Sequence, residues 1–148
     1  MLGLLEHRDV ALRAVSAACK LVVTKKPQRM GWNEFRIHVV SAVGEAFNNI
    51  VLHGYSGRSD GVIEMEIRTE PERITVELRD YGESFDLDSV ATPDLDLLPE
   101  GGLGIFIMKA FMSIRYRPGR PNVLTLSKTF DPESPDSYPR ANLSEGDS

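Results

Sequence analysis

The sequence predicts an α+β fold, a two-layer sandwich in which helices cover one face of an antiparallel or mixed sheet. Two observations support this prediction. Segments that alternate apolar and polar residues occur as two pairs, and a short turn separates the members of each pair, as in β-hairpins. Segments with apolar residues at helical spacing are grouped before and between these pairs, without the regular alternation of strand and helix that a parallel sheet requires.

Length and composition indicate one globular domain. The chain has 148 residues, and its 41% hydrophobic and 26% charged content is ordinary for a domain with a single core. The formal net charge of −5 argues against direct nucleic-acid binding, which needs a basic surface. Cys19 is the single cysteine, so it is interpreted as a small core residue and not as part of a disulfide framework. No apolar run approaches the ~20 residues of a membrane span and no signal pattern is visible, so a cytoplasmic protein without a membrane partner is expected.

The first third of the chain is predicted to be mainly helical. Residues 2–7 are expected to form a short strand. Residues 9–23 have apolar side chains at helical spacing and predict a first helix, which ends before a Lys-Lys-Pro sequence. A second helix is predicted from Asn33, a favourable N-cap residue, to His53, and Gly54 ends it.

Two β-hairpins are predicted downstream. Residues 62–69 and 73–80 alternate apolar and polar side chains on either side of a Glu-Pro-Glu turn. Residues 112–118 and 123–130 do the same around a Gly-Arg-Pro turn. These four segments are expected to form the sheet.

Three further segments complete the predicted organisation. Residues 103–111 predict a third helix. Residues 87–100 contain several acids and two prolines without any periodicity, which predicts a mobile loop. From Asp131 the sequence is rich in proline, serine and acidic residues, so residues 1–130 are expected to form the folded domain and residues 131–148 a disordered tail.

Three polar residues interrupt the second predicted helix. Its apolar stripe consists of Val39, Val43, Ala46, Phe47 and Ile50. Glu45 and Asn49 lie one helical turn apart and off this stripe, with Asn48 beside them. The simplest interpretation is a solvated polar face. However, adjacent asparagines are poor helix formers in mid-helix, and the flanking sequence is strongly apolar. The polar group is therefore expected to lie under another element.

The strand predicted at residues 73–80 ends with a carboxylate on its apolar face. Its inward-facing row is Ile74, Val76, Leu78 and Asp80. A buried carboxylate without a partner is costly, so Asp80 is expected to meet a hydrogen-bond donor. The alternative is a capping or turn aspartate ahead of Gly82.

A glycine-rich loop leads into the third predicted helix. It consists of Gly101, Gly102, Leu103 and Gly104. Free backbone N–H groups and the helix dipole favour an anion such as phosphate at such a helix start. The loop is not a Walker motif, because no lysine follows at the required position. Many glycine-rich loops also precede helices that bind no ligand, so the loop alone decides nothing.

Three segments, taken in their order along the chain, resemble those of a known family. They are EAFNNIVLHGY from Glu45, RDYGESFD from Arg79 and EGGLGIFIM from Glu100. Together they resemble the Bergerat fold of the GHKL, or histidine-kinase-like, ATPases over roughly residues 8–130. Within that superfamily, the short length and the DYGESFD segment are similar to the bacterial anti-sigma factor serine/threonine kinases.

The resemblance implies that ATP and Mg²⁺ bind, and it gives each site residue a role. Glu45 would be the general base for the attacking hydroxyl, and Asn49 would hold Mg²⁺, since phosphoryl transfer needs positioning and charge neutralisation. Asp80 would accept a hydrogen bond from the adenine amine, and Gly82 would let the backbone pass close to the base. The further expected nucleotide contacts are Asn48, Gly101, Gly102, Leu103 and Gly104.

Several positions depart from the family pattern. Asn122 and Val123 occupy the start of the last strand, where related kinases often carry threonine near the base. One nucleotide contact is therefore expected to be missing or bridged by water. Ser84 stands where the superfamily often has a second glycine, and some anti-sigma kinases share this serine. Glu100 stands where some relatives carry arginine.

In terms of activity, the resemblance implies a protein kinase that phosphorylates a STAS-domain anti-anti-sigma factor and also binds a sigma factor, with a homodimer as a possible assembly. The alternative is a nucleotide-dependent binding module without phosphoryl transfer. Retention of Glu45 favours the enzyme, because a pure binder needs no base. A detached catalytic domain of a two-component histidine kinase is disfavoured, because no helix pair with a phospho-accepting histidine precedes the domain.

Overall fold

The computed structural model describes residues 4–22, 31–56, 61–85 and 102–130. Within these ranges the chain forms three α-helices and four β-strands. The helices are α1 (Leu4–Cys19), α2 (Trp32–Asn49) and α3 (Gly102–Phe111). The strands are β1 (Ile63–Glu70), β2 (Arg73–Asp80), β3 (Ser113–Arg117) and β4 (Asn122–Thr129).

The four strands form one sheet in the order β1-β2-β4-β3, and every neighbouring pair is antiparallel. The pairs β1–β2 and β3–β4 are the two predicted hairpins. The hairpins join through β2 and β4, and the register of this pairing places Asp80 opposite Asn122. The predicted α+β sandwich is therefore confirmed, and its sheet is antiparallel and not mixed.

The core lies between the helices and the inner face of the sheet. The predicted apolar stripe of α2 is buried along its length, and so is the predicted inward-facing row of β2. Leu124 and Leu126 of β4 join them. Near the start of α2, Phe35 packs edge-on against Phe130, with ring centroids 5.3 Å apart. These contacts fix the position of α2, the helix that carries Glu45 and Asn49.

The predictions for the first helix and for the start of the second are wrong in part. Residues 4–7 belong to α1 and do not form a strand. The physical reason is that Leu5 and Leu12 continue one helical spacing, so the segment extends the helix that follows. The N-cap of α2 is Gly31, with φ of 106°, and Asn33 lies inside the helix. Glycine adopts this left-handed conformation without steric cost, which an asparagine side chain does not match.

The end of the second helix also differs from the prediction. The α-helix ends at Asn49, and one π-helical turn (Ile50–Gly54) follows it. Tyr55 closes this wider turn, because its N–H donates to the carbonyl of Ile50 at 3.0 Å. Gly54 ends the element as predicted. Single π turns occur often at functional sites.

Cys19 is fully buried, as predicted for a core residue. Burial raises the pKa of its thiol to about 11, although the nearby Arg36 opposes this shift. Cys19 therefore stays a neutral thiol and packs as a small apolar residue.

Two properties of the chain bear on the remaining predictions. In the ranges that the structure covers, no helix combines the length and the apolar character that crossing a membrane requires. The predicted loop at residues 87–100, Gly101 and the predicted tail at residues 131–148 lie outside the described residues.

Candidate functional site

Asp80 is a buried carboxylate at the end of β2. It is 1% exposed, as its place in the apolar row predicted. Its Oδ1 accepts two hydrogen bonds, from the backbone N–H of Gly82 and from Nδ2 of Asn122, both at 3.0 Å. Its Oδ2 is buried and has no hydrogen-bond partner among the described residues. The expected donors are therefore present, and one strong acceptor remains for a ligand with a hydrogen to donate.

Asn122 joins β4 to the turn after β2. Its Nδ2 also donates to the carbonyl of Gly82 at 2.9 Å, and its Oδ1 accepts from the backbone N–H of Gly119 at 2.9 Å and from Oγ of Ser84. These hydrogen bonds link the start of β4 to the turn after β2, 40 positions earlier in the sequence. From the sequence, Asn122 was recognised only as a departure from threonine, and this role was not predicted. The pairing of the two hairpins, had it been predicted with its register, would have placed Asn122 beside Asp80.

Gly82 packs directly against the backbone of Gly54. A Cβ placed on Gly82 would stand 2.2 Å from the carbonyl oxygen of Gly54, which leaves no room for any side chain. The N–H of Glu83 donates to the same oxygen at 2.7 Å. The sequence predicted that the backbone at Gly82 would pass close to the base. In the structure, the backbone at Gly82 lies close to the π turn of the protein itself. This contact brings the end of α2 and the end of β2 together.

Tyr55 fixes the strand end from the other side. It is buried, its hydroxyl donates to the carbonyl of Val62 at 2.6 Å, and the same oxygen accepts from the N–H of Tyr81 at 2.8 Å. Gly61 lies against the ring, since a Cβ there would stand 2.5 Å from it. Tyr55 therefore anchors both the start of β1 and the residue after Asp80.

A cavity of about 490 Å³ lies between the C-terminal half of α2, the π turn and the start of α3. Its lining consists of Glu45, Asn48, Asn49, Leu52, His53, Leu103, Gly104 and Ile107. Five of the residues that the sequence selected therefore share one cavity. Asp80 is not part of this lining, but it lies next to the π turn that borders the cavity. A Cβ placed on Gly54, the last residue of that turn, would lie 3.4 Å from Oδ1 of Asp80.

Glu45 and Gly104 are in direct contact across this cavity. A Cβ on Gly104 would stand 2.7 Å from Oε2 of Glu45. Gly104 lies in the first turn of α3, where backbone N–H groups are not used within the helix. A carboxylate and the backbone N–H donors of a first helical turn thus meet at one wall, an arrangement that suits a proton acceptor beside a bound phosphate.

Asn49 is buried, whereas Asn48 is half-buried at the cavity wall. In the described part of the chain, Nδ2 of Asn49 makes no hydrogen bond, although the atom is buried. The prediction that the polar group lies under another element is confirmed, since α3 packs against α2 here. An unused buried amide is costly, so this side chain fits a role toward an added ligand.

Comparison with known proteins agrees with this geometry. Residues 9–128 match the histidine kinase-like ATPase domain family, and the chain belongs to that family. Membership of an ATPase domain family implies ATP as the ligand, in keeping with the unpartnered acceptor at Oδ2 of Asp80 and the N–H groups at the start of α3.

Curated relatives are similar to part of the chain. An anti-sigma F factor of Clostridium botulinum (strain Eklund 17B / Type B) is 35% identical over 78 residues, which cover 50% of this chain and 54% of that protein. The serine-protein kinase RsbW of Bacillus velezensis is 32% identical over 102 residues, which cover 63% of this chain and 64% of that kinase. The chain thus spans between half and two thirds of the length of these relatives. They confirm the resemblance to the anti-sigma factor kinases that the three segments predicted.

A solved structure supports the fold alone. The blue-light activated histidine kinase of Erythrobacter litoralis EL346 aligns with a TM-score of 0.51 at 14% identity, over 82% of this chain and 41% of the kinase.

Proposed function

We propose that this chain is an ATP-dependent serine/threonine protein kinase and anti-sigma factor, which phosphorylates a STAS-domain anti-anti-sigma partner and so controls transcription by partner switching. The observation that carries the proposal is the contact between the Glu45 carboxylate and Gly104 in a cavity of about 490 Å³. A protein that only binds nucleotide has no need for a proton acceptor at the phosphate-binding end of its site. Relatives named as serine-protein kinases and anti-sigma factors support the same function.

In the proposed phosphoryl transfer, Glu45 takes part in one step. The hydroxyl oxygen of a partner serine or threonine forms a bond to the γ-phosphorus of ATP, and the bond from that phosphorus to the bridging oxygen of ADP breaks. ADP leaves with the electron pair of the broken bond. The hydroxyl proton passes to the carboxylate of Glu45, which acts as the general base.

Binding of ATP falls to residues on both sides of the π turn. Oδ2 of Asp80 would accept from the adenine amine, since Oδ1 is already occupied by two donors. The N–H groups at the start of α3, including those of Gly102, Leu103 and Gly104, would bind phosphate oxygens. Gly101 and Asn48 are proposed to contribute to the same contacts.

The residues present also fit a magnesium ion. Asn49 offers an amide oxygen, which is a ligand type that Mg²⁺ accepts. Because no described residue accepts from its amide nitrogen, no hydrogen bond of that nitrogen keeps the amide from turning its oxygen toward an ion. Bound Mg²⁺ would neutralise charge on the phosphates. Asn49 would hold the ion on the same wall of the cavity as Glu45, one helical turn away.

The alternative is a nucleotide-dependent binding module that sequesters a sigma factor, or another regulator, without transferring phosphate. The relative named anti-sigma F factor favours sigma-factor binding in either case. A homodimer, a cytoplasmic location and a domain formed by residues 1–130 belong to the same proposal.

The decisive experiment incubates the purified chain with γ-labelled ATP and each STAS protein encoded in the same genome. We expect label on a serine or threonine of one of them. Glu45→Gln should lower the rate by ~10²–10⁴, the usual contribution of general acid–base catalysis, and ATP should still bind. The matched control is Glu70→Gln, the same change at an exposed residue at the end of β1.

Two outcomes would count against the proposal. A Glu45→Gln protein that phosphorylates at the normal rate would refute the base. A wild-type protein that binds ATP and its partners without transferring phosphate to any of them would favour the binding module.

A further inference from the structure

The hydrogen bonds of Asn122 leave its side chain only one orientation. Its amide group uses both N–H donors, to Oδ1 of Asp80 and to the carbonyl of Gly82, and its oxygen accepts from Gly119 and Ser84. A rotation by 180° would place the amide oxygen against a carboxylate and a carbonyl, which are both acceptors. It would also turn the NH₂ group toward the N–H of Gly119, which is a donor. The partners therefore determine the orientation without ambiguity.

This orientation decides which oxygen of Asp80 is left for a ligand. Oδ1 of Asp80 accepts from Asn122 and from the N–H of Gly82, so both of its lone pairs are used. Oδ2 is buried and has no partner within the described ranges. Asp80 thus presents one oxygen, and that oxygen acts as an acceptor only.

We infer that Asn122 is the positioning residue that makes the site select a 6-aminopurine. An acceptor-only oxygen matches the exocyclic amine of adenine, and it opposes the 6-oxo group of guanine or hypoxanthine, which is also an acceptor. Without the donor from Asn122, the carboxylate gains freedom to rotate, so Oδ2 is no longer held opposite the purine 6-position. Both the gain from an amine and the penalty against a 6-oxo group then become smaller. This inference rests on the proposed binding of ATP and adds the residue that sets the purine specificity.

The first test compares ATP with ITP, which differ at the purine 6-position, by calorimetric titration of wild type and Asn122→Ala. We expect wild type to prefer ATP, and we expect the ratio of the two affinities to fall about tenfold or more in the variant. A purely structural role would weaken both nucleotides by the same factor. An unchanged ratio would therefore overturn the inference, whatever happens to the affinities themselves. If wild type binds neither nucleotide, the proposed function fails, which is a separate and recognisable result.

The second test keeps the shape of the side chain and uses Asn122→Asp. Two carboxyl groups at hydrogen-bond distance share one proton, and their interaction raises the pKa of the pair. At low pH the protonated Asp at position 122 donates to Asp80 as the amide did, and at high pH two carboxylates repel each other. We expect the ATP affinity of the variant, relative to wild type, to fall tenfold or more between about pH 5.5 and pH 8.5. Among the described residues of the wild type, no second carboxyl group hydrogen-bonds to Asp80, which pairs with the amide of Asn122. Burial also raises the pKa of the neighbouring Tyr116 above its ordinary value of 10.0.

Controls separate this effect from unfolding. Asn33→Asp makes the same chemical change at an exposed position of α2 and should bind ATP like wild type at every pH. Circular dichroism at each pH confines the comparison to conditions in which the variant is folded. A folded Asn122→Asp protein whose affinity follows that of wild type across the whole range would overturn the inference.

Discussion

The carboxylate of Glu45 on α2 lies against Gly104 in the first turn of α3, and the absence of a side chain at Gly104 permits this contact. A Cβ placed there would stand 2.7 Å from Oε2 of Glu45, whereas the next nearest atom of Glu45 is 3.6 Å away. Only the end of a flexible side chain is therefore in the way. The contact places the proposed base beside the proposed phosphate-binding turn, so changes at Gly104 should affect catalysis more than folding.

We expect Gly104→Ala to fold and to bind ATP, but to phosphorylate its partner ~10²-fold more slowly. The added methyl group displaces the carboxylate of Glu45, and a shift of about 1 Å in a catalytic group has an effect of this order. The values of kcat and KM for the partner, together with the melting temperature, measure the two parts of the prediction.

The control for this variant is the same change in a Glu45→Gln background. If the alanine acts by displacing the base, it should slow the double variant little further, because the two residues act as one unit. An equal further loss would show that the alanine acts on the phosphate contacts instead.

Asp80→Asn should abolish measurable ATP binding while the fold persists. The amide oxygen would stay with the donors Asn122 and Gly82, and the new NH₂ group would take the place of Oδ2, where it faces the adenine amine donor to donor. Such a mismatch costs ~2 kcal/mol or more. Calorimetry measures the affinity, and Glu70→Gln, a change from carboxylate to amide at an exposed site, is the control. Unchanged affinity would remove the adenine role from Asp80.

Most of the fold was predictable because its signals are local. The alternation within each hairpin and the stripe of α2 repeat over several residues, so their elements were predicted with nearly correct ends. The segment at residues 2–7 is too short to show a period, and it was assigned to a strand although its residues 4–7 belong to α1. Gly31 was not predicted as the N-cap of α2, because it caps the helix with a left-handed backbone and without a side chain. Asn33, a more usual capping residue, was predicted in its place.

The candidate site was predictable only where its residues lie in continuous motifs. Glu45, Asn49 and Gly104 were selected from their own segments, and the structure places them around one cavity. The hydrogen bonds of Asn122 depend on the pairing of β2 with β4, residues that are far apart in sequence. The π turn was missed because one extra residue in a single turn leaves no periodic signal.

Gly82 and Gly54 are in contact, yet only one of them should be essential. A Cβ on Gly82 meets the carbonyl oxygen of Gly54 at 2.2 Å, and neither backbone can yield without moving the end of β2. A Cβ on Gly54 meets its nearest neighbour, Oδ1 of Asp80, at 3.4 Å, which is an ordinary contact. We therefore expect Gly82→Ala to lower the free energy of unfolding by about 1–3 kcal/mol and Gly54→Ala to lower it much less. Urea denaturation checks this order, and equal losses would contradict the packing argument.

His38 should make the stability of the protein depend on pH below neutrality. It is buried and stacked on Phe111, with ring centroids 4.2 Å apart. Burial lowers the pKa of His38 from its ordinary value of 6.5, the cation of Lys128 lowers it further, and Glu34 opposes them. Because the unfolded chain then binds a proton more readily than the folded one, this contribution to stability is fully present above about pH 6.5 and is lost as the pH falls below it.

The measurement is the free energy of unfolding in urea between pH 7.5 and pH 5, for wild type and for His38→Gln. Glutamine does not titrate, so the variant should lose less stability on acidification than wild type does, even if it is less stable at pH 7.5. Parallel loss in the two proteins would show that other groups account for the acid sensitivity. A wild type that loses less stability on acidification than His38→Gln does would contradict the sign, because that result requires the pKa of His38 to be higher in the folded than in the unfolded protein.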